Sequence, residues 1–203
     1  MDSLKKTYKE AFFVISVLMV LPLLIVYWVL NIFVGSDSLF AGFSQFLSLL
    51  PGKTGCYLRA GFYRFTMTLC SKDTVISFLV LFSQRDTEIE QGVYIGPGCN
   101  IGKCKIGKNT LLGSGVHIMS GKGQHSFDDL DTPIKDQSRN FEKITIGGDC
   151  WVGNGALILA NIGNKCIVGS GAVVVNDVPE FSIVAGNPAK IIKSRKIFTN
   201  SER

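Results

Sequence analysis

Apolar residues in this chain follow two unlike patterns. Residues 11–34 form 24 positions without a charge, preceded by Lys5, Lys6 and Lys9. At 1.5 Å per residue such a run predicts a helix of about 36 Å, enough for a hydrocarbon core of roughly 30 Å. Pro22 lies inside it, where a kink is expected. A cleaved leader would have a shorter apolar stretch and a small-residue cleavage site, which Val34-Gly35-Ser36 mimics only weakly, so the run is read as a retained anchor. A second run, 39–50, is too short to span alone and is broken by Pro51-Gly52-Lys53. Residues 53–72 then mix Arg59, Arg64 and Lys72 with Tyr57, Phe62, Tyr63, Phe65 and Leu69. Two outcomes are open there: an amphipathic segment with basic groups at anionic headgroups, or a helix covering the end of the next domain. Basic residues flank the long run on both sides, so a kinked helix or hairpin returning to one face fits at least as well as a single span.

From residue 89 the pattern changes to a period of six. Ile89, Ile95 and Ile101 are six apart; Ile106, Leu112 and Ile118 follow after one five-residue step. The period resumes at Ile146, Val152 and Ile158, and again at Ile162, Val168 and Val174. Glycine follows the aliphatic residue in eight of these slots. Neither the period of two of a simple strand nor the 3.6 of a helix matches. Six with glycine suits a coil of three short strands per turn, one aliphatic side chain from each pointing into a prism, with coils stacked parallel about 4.8 Å apart. Six slots before residue 119 make about two coils and six after 143 about two more, and Val75–Phe82 is a candidate for an earlier one. The step from Ile158 to Ile162 is only four, so the coil must bulge or tighten there.

The cysteines obey the same frame. Cys99, Cys104, Cys150 and Cys166 each stand two residues before an aliphatic slot, the other inward position, which takes a small side chain. They are read as packing rather than metal ligands, because the paired short spacings of a zinc ribbon are absent. Nothing in the pattern requires disulfides, and a reducing compartment is the simpler setting.

Composition sharpens the division. The 203 residues are 46% hydrophobic and 18% charged, with mean hydropathy +0.28, which excludes a disordered chain and a generic nucleic-acid binder. Residues 1–72 hold seven basic and three acidic groups, 73–189 nine and twelve, and 190–203 five and one. This predicts a membrane region over 1–72, a mildly acidic domain over 73–189 and a basic tail over 190–203. With two histidines in the chain, a three-histidine metal site within one subunit is excluded.

Residues 119–143 interrupt the repeat with a polar, aperiodic stretch containing His125. A stack cannot absorb it, so it must leave as a loop, the usual carrier of function on a rigid scaffold. Asp128, Asp129 and Asp131 lie near His125, as orienting partners or merely as a solvated acidic stretch. His117 precedes the Ile118 slot and so points outward, on a free surface, a subunit interface or the lining of a site. Trp151 also points outward, an exposure that is expensive unless something covers it.

With these residues in view, the chain resembles the hexapeptide-repeat acyltransferases, most closely the galactoside, maltose and streptogramin acetyltransferases. The resemblance covers about residues 89–193. It rests on Gly113-Ser114-Gly115-Val116-His117-Ile118-Met119, the loop histidine, Ile146-Gly147-Gly148-Asp149-Cys150-Trp151-Val152-Gly153, Val168-Gly169-Ser170-Gly171-Ala172-Val173-Val174 and Ala185-Gly186-Asn187-Pro188-Ala189-Lys190. The N-terminal 72 residues instead resemble those of membrane-attached acetyltransferases of surface-glycan pathways.

The resemblance implies an all-β fold, a left-handed parallel β-helix, here with an N-terminal hydrophobic helical membrane region. It implies a homotrimer with active sites between subunits, acetyl-CoA as co-substrate and no metal. His125 would be the general base, suited by an imidazole pKa near neutral. Trp151, Asn154, Ser170, Lys190 and Lys193 would meet acetyl-CoA, with Arg195 and Lys196 extending the basic end; solubility or membrane attraction is the other reading of that tail. His117 and Asp128 would touch the acceptor. The expected activity is O-acetylation of a sugar hydroxyl on a lipid-linked or surface-polysaccharide precursor. Membrane lipid and a glycan or glycolipid would be the partners, with no nucleic acid. The location would be a bacterial inner membrane, with the catalytic domain on its cytoplasmic face. N-acetylation of an amino sugar and a noncatalytic scaffold are the alternatives. A metal hydratase of the carbonic-anhydrase type would need three imidazoles from two subunits, at a spacing unlike this one.

Overall fold

The computed structural model describes residues 2–196; the side chains of Lys5, Lys6 and Lys9, and the tail beyond Lys196, lie outside the described residues. Three helices come first: α1 (Asp2–Val34), α2 (Asp37–Ser48) and α3 (Gly52–Tyr63). Pro22 sits within α1 without ending it.

The six-residue period then becomes a three-sided prism. Its first coil is β1 (Leu69–Cys70), β2 (Val75–Ile76) and β3 (Leu81–Phe82). The second is β4 (Glu88–Ile89), β5 (Tyr94–Ile95) and β6 (Asn100–Ile101). The third is β7 (Cys104–Ile106), β8 (Leu111–Leu112) and β9 (His117–Ile118). The fourth is β10 (Ile144–Ile146), β11 (Trp151–Val152) and β12 (Leu157–Ile158). The fifth has a bridge at Ile162, then β13 (Ile167–Val168) and β14 (Val173–Val174). The sixth has a bridge at Val178 and β15 (Ser182–Gly186), after which β16 (Ala189–Ser194) turns back antiparallel. Sheet A is β1-β4-β7-β10, sheet B runs from β2 through β5, β8, β11, β13 and β15 to β16, and sheet C is β3-β6-β9-β12-β14. The stack has about six coils, more than the four or five counted from the period. The first strand begins at Leu69, ahead of the boundary expected at 73, because the first coil carries Cys70, Ile76 and Phe82 without the glycine signature.

Every expected aliphatic slot is buried. Ile89, Ile106, Ile146 and Ile162 line the sheet A side; Ile95, Leu112, Val152 and Val168 the sheet B side; Ile101, Ile118, Ile158 and Val174 the sheet C side. Cys99, Cys104, Cys150 and Cys166 are buried free thiols in the companion slots, and burial pushes Cys104 up to about 12. The short step at residue 160 is a tightening, not a bulge. Ile162 still bridges Ile146 below and Val178 above, so register is kept. The corner from sheet C to sheet A absorbs all the variation: Phe82 to Ile89 is seven residues, Ile101 to Ile106 five, and both Ile158 to Ile162 and Val174 to Val178 four. The 119–143 loop leaves at this same corner.

Glycine is required where coils approach closely. A Cβ on Gly147 would lie 2.6 Å from the backbone nitrogen of Asn164 in the next coil. Gly147→Ala is therefore expected to destabilise the stack by about 1–3 kcal/mol, read from denaturant unfolding; an unchanged midpoint would mean that the coils can separate there.

The helices close the open end of the prism. On α2, Ser44 Oγ accepts the Phe82 N–H at 2.8 Å and the Ser48 carbonyl accepts that of Leu79 at 3.0 Å. On α3, Arg59 is fully buried and donates to the carbonyls of Leu47 (3.0 Å), Leu50 (2.7 Å) and Ile76 (2.9 Å). These partners are a last-turn carbonyl of α2, a carbonyl just past its end and one on the end strand of sheet B, groups that a lone edge or helix end leaves unpaired. Of the two readings open for 53–72, Arg59 follows the second: its charge is spent inside the protein, and the segment from 53 covers the end of the next domain.

Candidate active site

The long loop is an ordered hairpin. Its limbs pair through Ser126 N–H to the Ser138 carbonyl (2.9 Å), Asn140 N–H to Gln124 (3.3 Å) and Glu142 N–H to Ser120 (3.0 Å). The Ser126 and Ser138 hydroxyls meet at 2.7 Å. Asp129 builds the tip: its carboxylate accepts the N–H groups of Asp131 and Thr132 and the Thr132 hydroxyl, at 2.9, 3.3 and 2.7 Å. Gln137 Nε2 ties the carbonyls of Asp129 and Thr132 together. Asp129 is thus engaged in building the turn. His125 is exposed on the outgoing limb, Asp128 is exposed beside it, and Leu130 projects at the tip with 95% of its surface open.

Sequence reasoning missed the loop's fastening. Lys143, at its foot, donates to Asp86 Oδ1 (2.5 Å) and Glu88 Oε1 (2.7 Å), while Lys103 pairs with Asp86 at 3.2 Å. The signal was available as opposite charges at outward sheet A positions, Glu88 beside Lys105, but only pairing shows that they meet Lys143. The hydrogen bond from Lys143, with those of Lys103 and Thr68 behind it, holds Asp86 at about 2 against the opposing effect of desolvation. A carboxyl held below its ordinary 3.8 lends stability that is present above that value and lost as pH falls toward about 2. Amide exchange at residues 142–145 should accordingly rise in that acid window. Lys143→Met should raise it already at neutral pH; equal protection in the variant would mean that backbone pairing alone holds the foot.

The remaining candidates lie elsewhere on the prism. Trp151 points outward from β11 with 56% of its surface open, in a sheet B column with exposed Val75, Tyr94 and Leu111. Above Trp151 the column continues through Ile167 and Ile183. Lys193 pairs with outward Ile183 and Lys190 with Ala185, so both lysines take outward positions at the far end of this face. Asn154 sits at the corner from sheet B to sheet C, its Oδ1 accepting the Ser114 N–H at 3.0 Å. Ser170 lies at the same corner one coil on, so close that a Cβ on Gly153 would strike it. Arg195 is drawn off to the Lys165 carbonyl (2.8 Å), and Lys196 lies over the Phe181 ring at 4.3 Å, both at the other corner of sheet B. His117 points outward from β9 on sheet C, between Asn100 and Leu157.

Trp151, Asn154, Ser170, Lys190 and Lys193 are thus brought onto one face and its edge, with His117 on the adjoining face. His125 is not brought to them. Its loop roots at the corner between sheets C and A, and in a three-sided prism that corner lies across from sheet B. No group of three or more histidine, cysteine or acidic side chains among the described residues could hold a metal ion.

Comparison with known proteins agrees with the coiled fold. Residues 86–120 match the family described as bacterial transferase hexapeptide (six repeats). A Mycobacterium tuberculosis protein named as an acetyltransferase is 37% identical over 95 residues, 46% of this chain and 31% of its own length. WbbJ of Escherichia coli, named as a lipopolysaccharide biosynthesis O-acetyl transferase, is 34% identical over 122 residues, 56% of this chain and 60% of its own. The chain therefore spans less than two thirds of either relative. A maltose O-acetyltransferase from Clostridium difficile superposes with a TM-score of 0.65 at 20% identity, over 76% of this chain and 84% of that one, a likeness of fold. Repeat, coil geometry and relatives together make this chain a hexapeptide-repeat parallel β-solenoid, similar to the acetyltransferases built on that repeat.

Proposed function

We propose that this protein is a membrane-held, acetyl-CoA-dependent O-acetyltransferase acting on a sugar hydroxyl of a lipid-linked or surface-polysaccharide precursor. One observation carries the reading. The loop bearing an exposed His125 roots at the corner across the prism from the face bearing Trp151, Asn154, Ser170 and the lysines. Three copies arranged about an axis would bring one subunit's loop to a neighbour's sheet B face. That would also cover the exposed column of Val75, Tyr94, Leu111 and Trp151, an apolar strip that a monomer leaves in water. The WbbJ likeness supports a glycan acceptor, and the apolar α1 supports a lipid-borne one.

In this reading His125 takes the proton of the acceptor hydroxyl as its oxygen bonds to the thioester carbonyl carbon. Backbone N–H groups at the cleft steady the negative oxygen of the tetrahedral intermediate. When the carbon–sulfur bond breaks, the imidazolium returns the proton to the departing thiolate, leaving an acetyl ester and a free thiol. Trp151 offers a broad apolar wall, Asn154 and Ser170 offer polar groups along the arm of the co-substrate, and Lys190 and Lys193 offer positive charge to its phosphates. Because acetyl-CoA is a cytosolic metabolite, the solenoid belongs on the cytoplasmic face of the membrane.

The test is acetyl transfer from radiolabelled acetyl-CoA to glycolipid extracted from the source membrane, with the product then exposed to mild base. Label that is transferred and then released by base supports the ester. Transferred label that resists base would point to an amide, hence N-acetylation. Absence of acetyl-CoA binding would leave a noncatalytic scaffold.

A further inference from the structure

The apolar helix α1 is long enough to cross a membrane, yet it does not project from the protein. Its inward stripe, Ser16, Val20, Leu24 and Tyr27, with Phe13, Val17, Leu23 and Asn31 half-buried, runs nearly its full charge-free length. The contacts follow that stripe: Phe12 stacks on Tyr57 of α3 at 5.9 Å between ring centres, and Tyr27 meets Phe43 of α2 at 5.3 Å and Phe62 of α3 at 5.6 Å.

Both ends of α1 are tied to the same end of the prism. At the start, Glu10 pairs with Lys72 of the first coil at 3.2 Å. At the finish, Asn31 Oδ1 accepts from Arg85 at 3.5 Å, and Asp37, three residues past the helix, accepts the Arg85 backbone N–H at 3.0 Å. Lys72 and Arg85 flank sheet A in the first and second coils. A helix crossing the bilayer would carry one of these ends about 30 Å from the solenoid. Here residues 10 and 31, some 31 Å apart along the helix axis, both remain beside it.

We infer that α1 lies in the plane of the membrane, embedded in a single leaflet, and that the prism stands on the bilayer with its first coil down. The outward arc of α1, including Ile15, Leu18, Ile25, Trp28, Ile32 and Phe33, is exposed and apolar. It continues onto Phe46 and Leu49 of α2. Between α1 and α2 runs an apolar groove of about 390 Å³, lined by Met19, Leu23, Val26, Phe46, Leu50 and Leu58, suited to an acyl chain. Exposed Lys53 opens α3 and gives positive charge that anionic headgroups favour, and three more lysines, Lys5, Lys6 and Lys9, precede the apolar run in sequence. Phospholipid is the occupant that an apolar floor with a cationic margin fits. Two coil spacings separate β3 from β9, so the loop roots about 10 Å above the capped end. That height selects an acceptor whose sugar stands just clear of the headgroups.

This rests on the membrane association proposed above, and the two are separable by experiment. Full-length protein is floated with phosphatidylethanolamine–phosphatidylglycerol vesicles. Wild type should float, and Leu18→Glu with Ile25→Glu, two exposed positions, should reduce the vesicle-bound fraction about tenfold or more, with an unchanged melting profile showing that the fold survives. Failure of wild type to float would overturn membrane association itself, whereas a double variant that floats as well as wild type would overturn the embedding of the outward arc of α1 and leave the association intact. Orientation is read separately in a Cys56→Ser background. Tyr8→Cys and Ser38→Cys should both react with an impermeant maleimide in inverted membrane vesicles and neither in intact cells. Labelling of the two from opposite sides would overturn the in-plane helix while leaving the association intact.

Discussion

Replacing His125 with alanine should lower acetyl transfer by about 10²–10⁴-fold, the usual share of a positioned general base, and leave acetyl-CoA affinity unchanged. The separation follows from where the residues stand. His125 is carried by the loop at the corner between sheets C and A, whereas the residues proposed to hold the co-substrate lie on sheet B and its edge with sheet C. Removing the imidazole touches none of the latter. The loop should survive the change as well, since its hairpin is held by Ser126 and Ser138, by Asp129 at the tip and by Lys143 at the foot, none of which uses His125. Steady-state kinetics with equilibrium binding of acetyl-CoA tests both halves. Turnover kept within a few-fold would remove His125 from the chemistry; binding lost together with turnover would mean that the residue serves the cleft.

The second large effect concerns stability. Arg59→Ala should cost about 3–5 kcal/mol, because one side chain satisfies carbonyls from three separate places. The Leu47 carbonyl belongs to the last turn of α2, the Leu50 carbonyl to the connection into α3, and the Ile76 carbonyl to the end strand of sheet B in the first coil. Truncation would leave these acceptors in a dry site without a donor and a cavity where the largest fully buried side chain had been. Arg59→Lys should recover only part of the loss, since a single ammonium cannot reach three carbonyls set apart by the guanidinium fork. Urea unfolding of the full chain in mild detergent measures both; a loss below about 1 kcal/mol would show that water or a shifted α3 takes over those carbonyls.

The solenoid was legible because its signal is local and repeated. An inward side chain every six residues, with glycine beside it, reports a periodic environment that no isolated helix or strand produces. Even the cysteines could be placed, since the slot two residues before each aliphatic position is the other inward one, filled here by cysteine, alanine, threonine and valine and once by Ile144. The first coil entered only as a candidate over 75–82, because Cys70, Ile76 and Phe82 lack the following glycine, and the sixth escaped the count because Val178 and Val184 lack it too. Candidate residues of the cleft were legible by type and by resemblance. Their division between two sides of the prism was not, because the side on which residue 125 or residue 151 emerges depends on the cumulative residue count round each coil.

Taken alone, the sequence determined the coil, its inward slots, the point where the long loop must leave and the presence of a membrane-length apolar run. Each is a statement about neighbours within a few residues. Tertiary structure decided the rest: that Arg59 turns inward to close the prism, that α1 is tied at both ends to Lys72 and Arg85 and so lies across the base, and that the histidine loop roots at the corner across from the tryptophan face. Those outcomes depend on carbonyls, charges and apolar surfaces that come together only after the chain has wound into its coils.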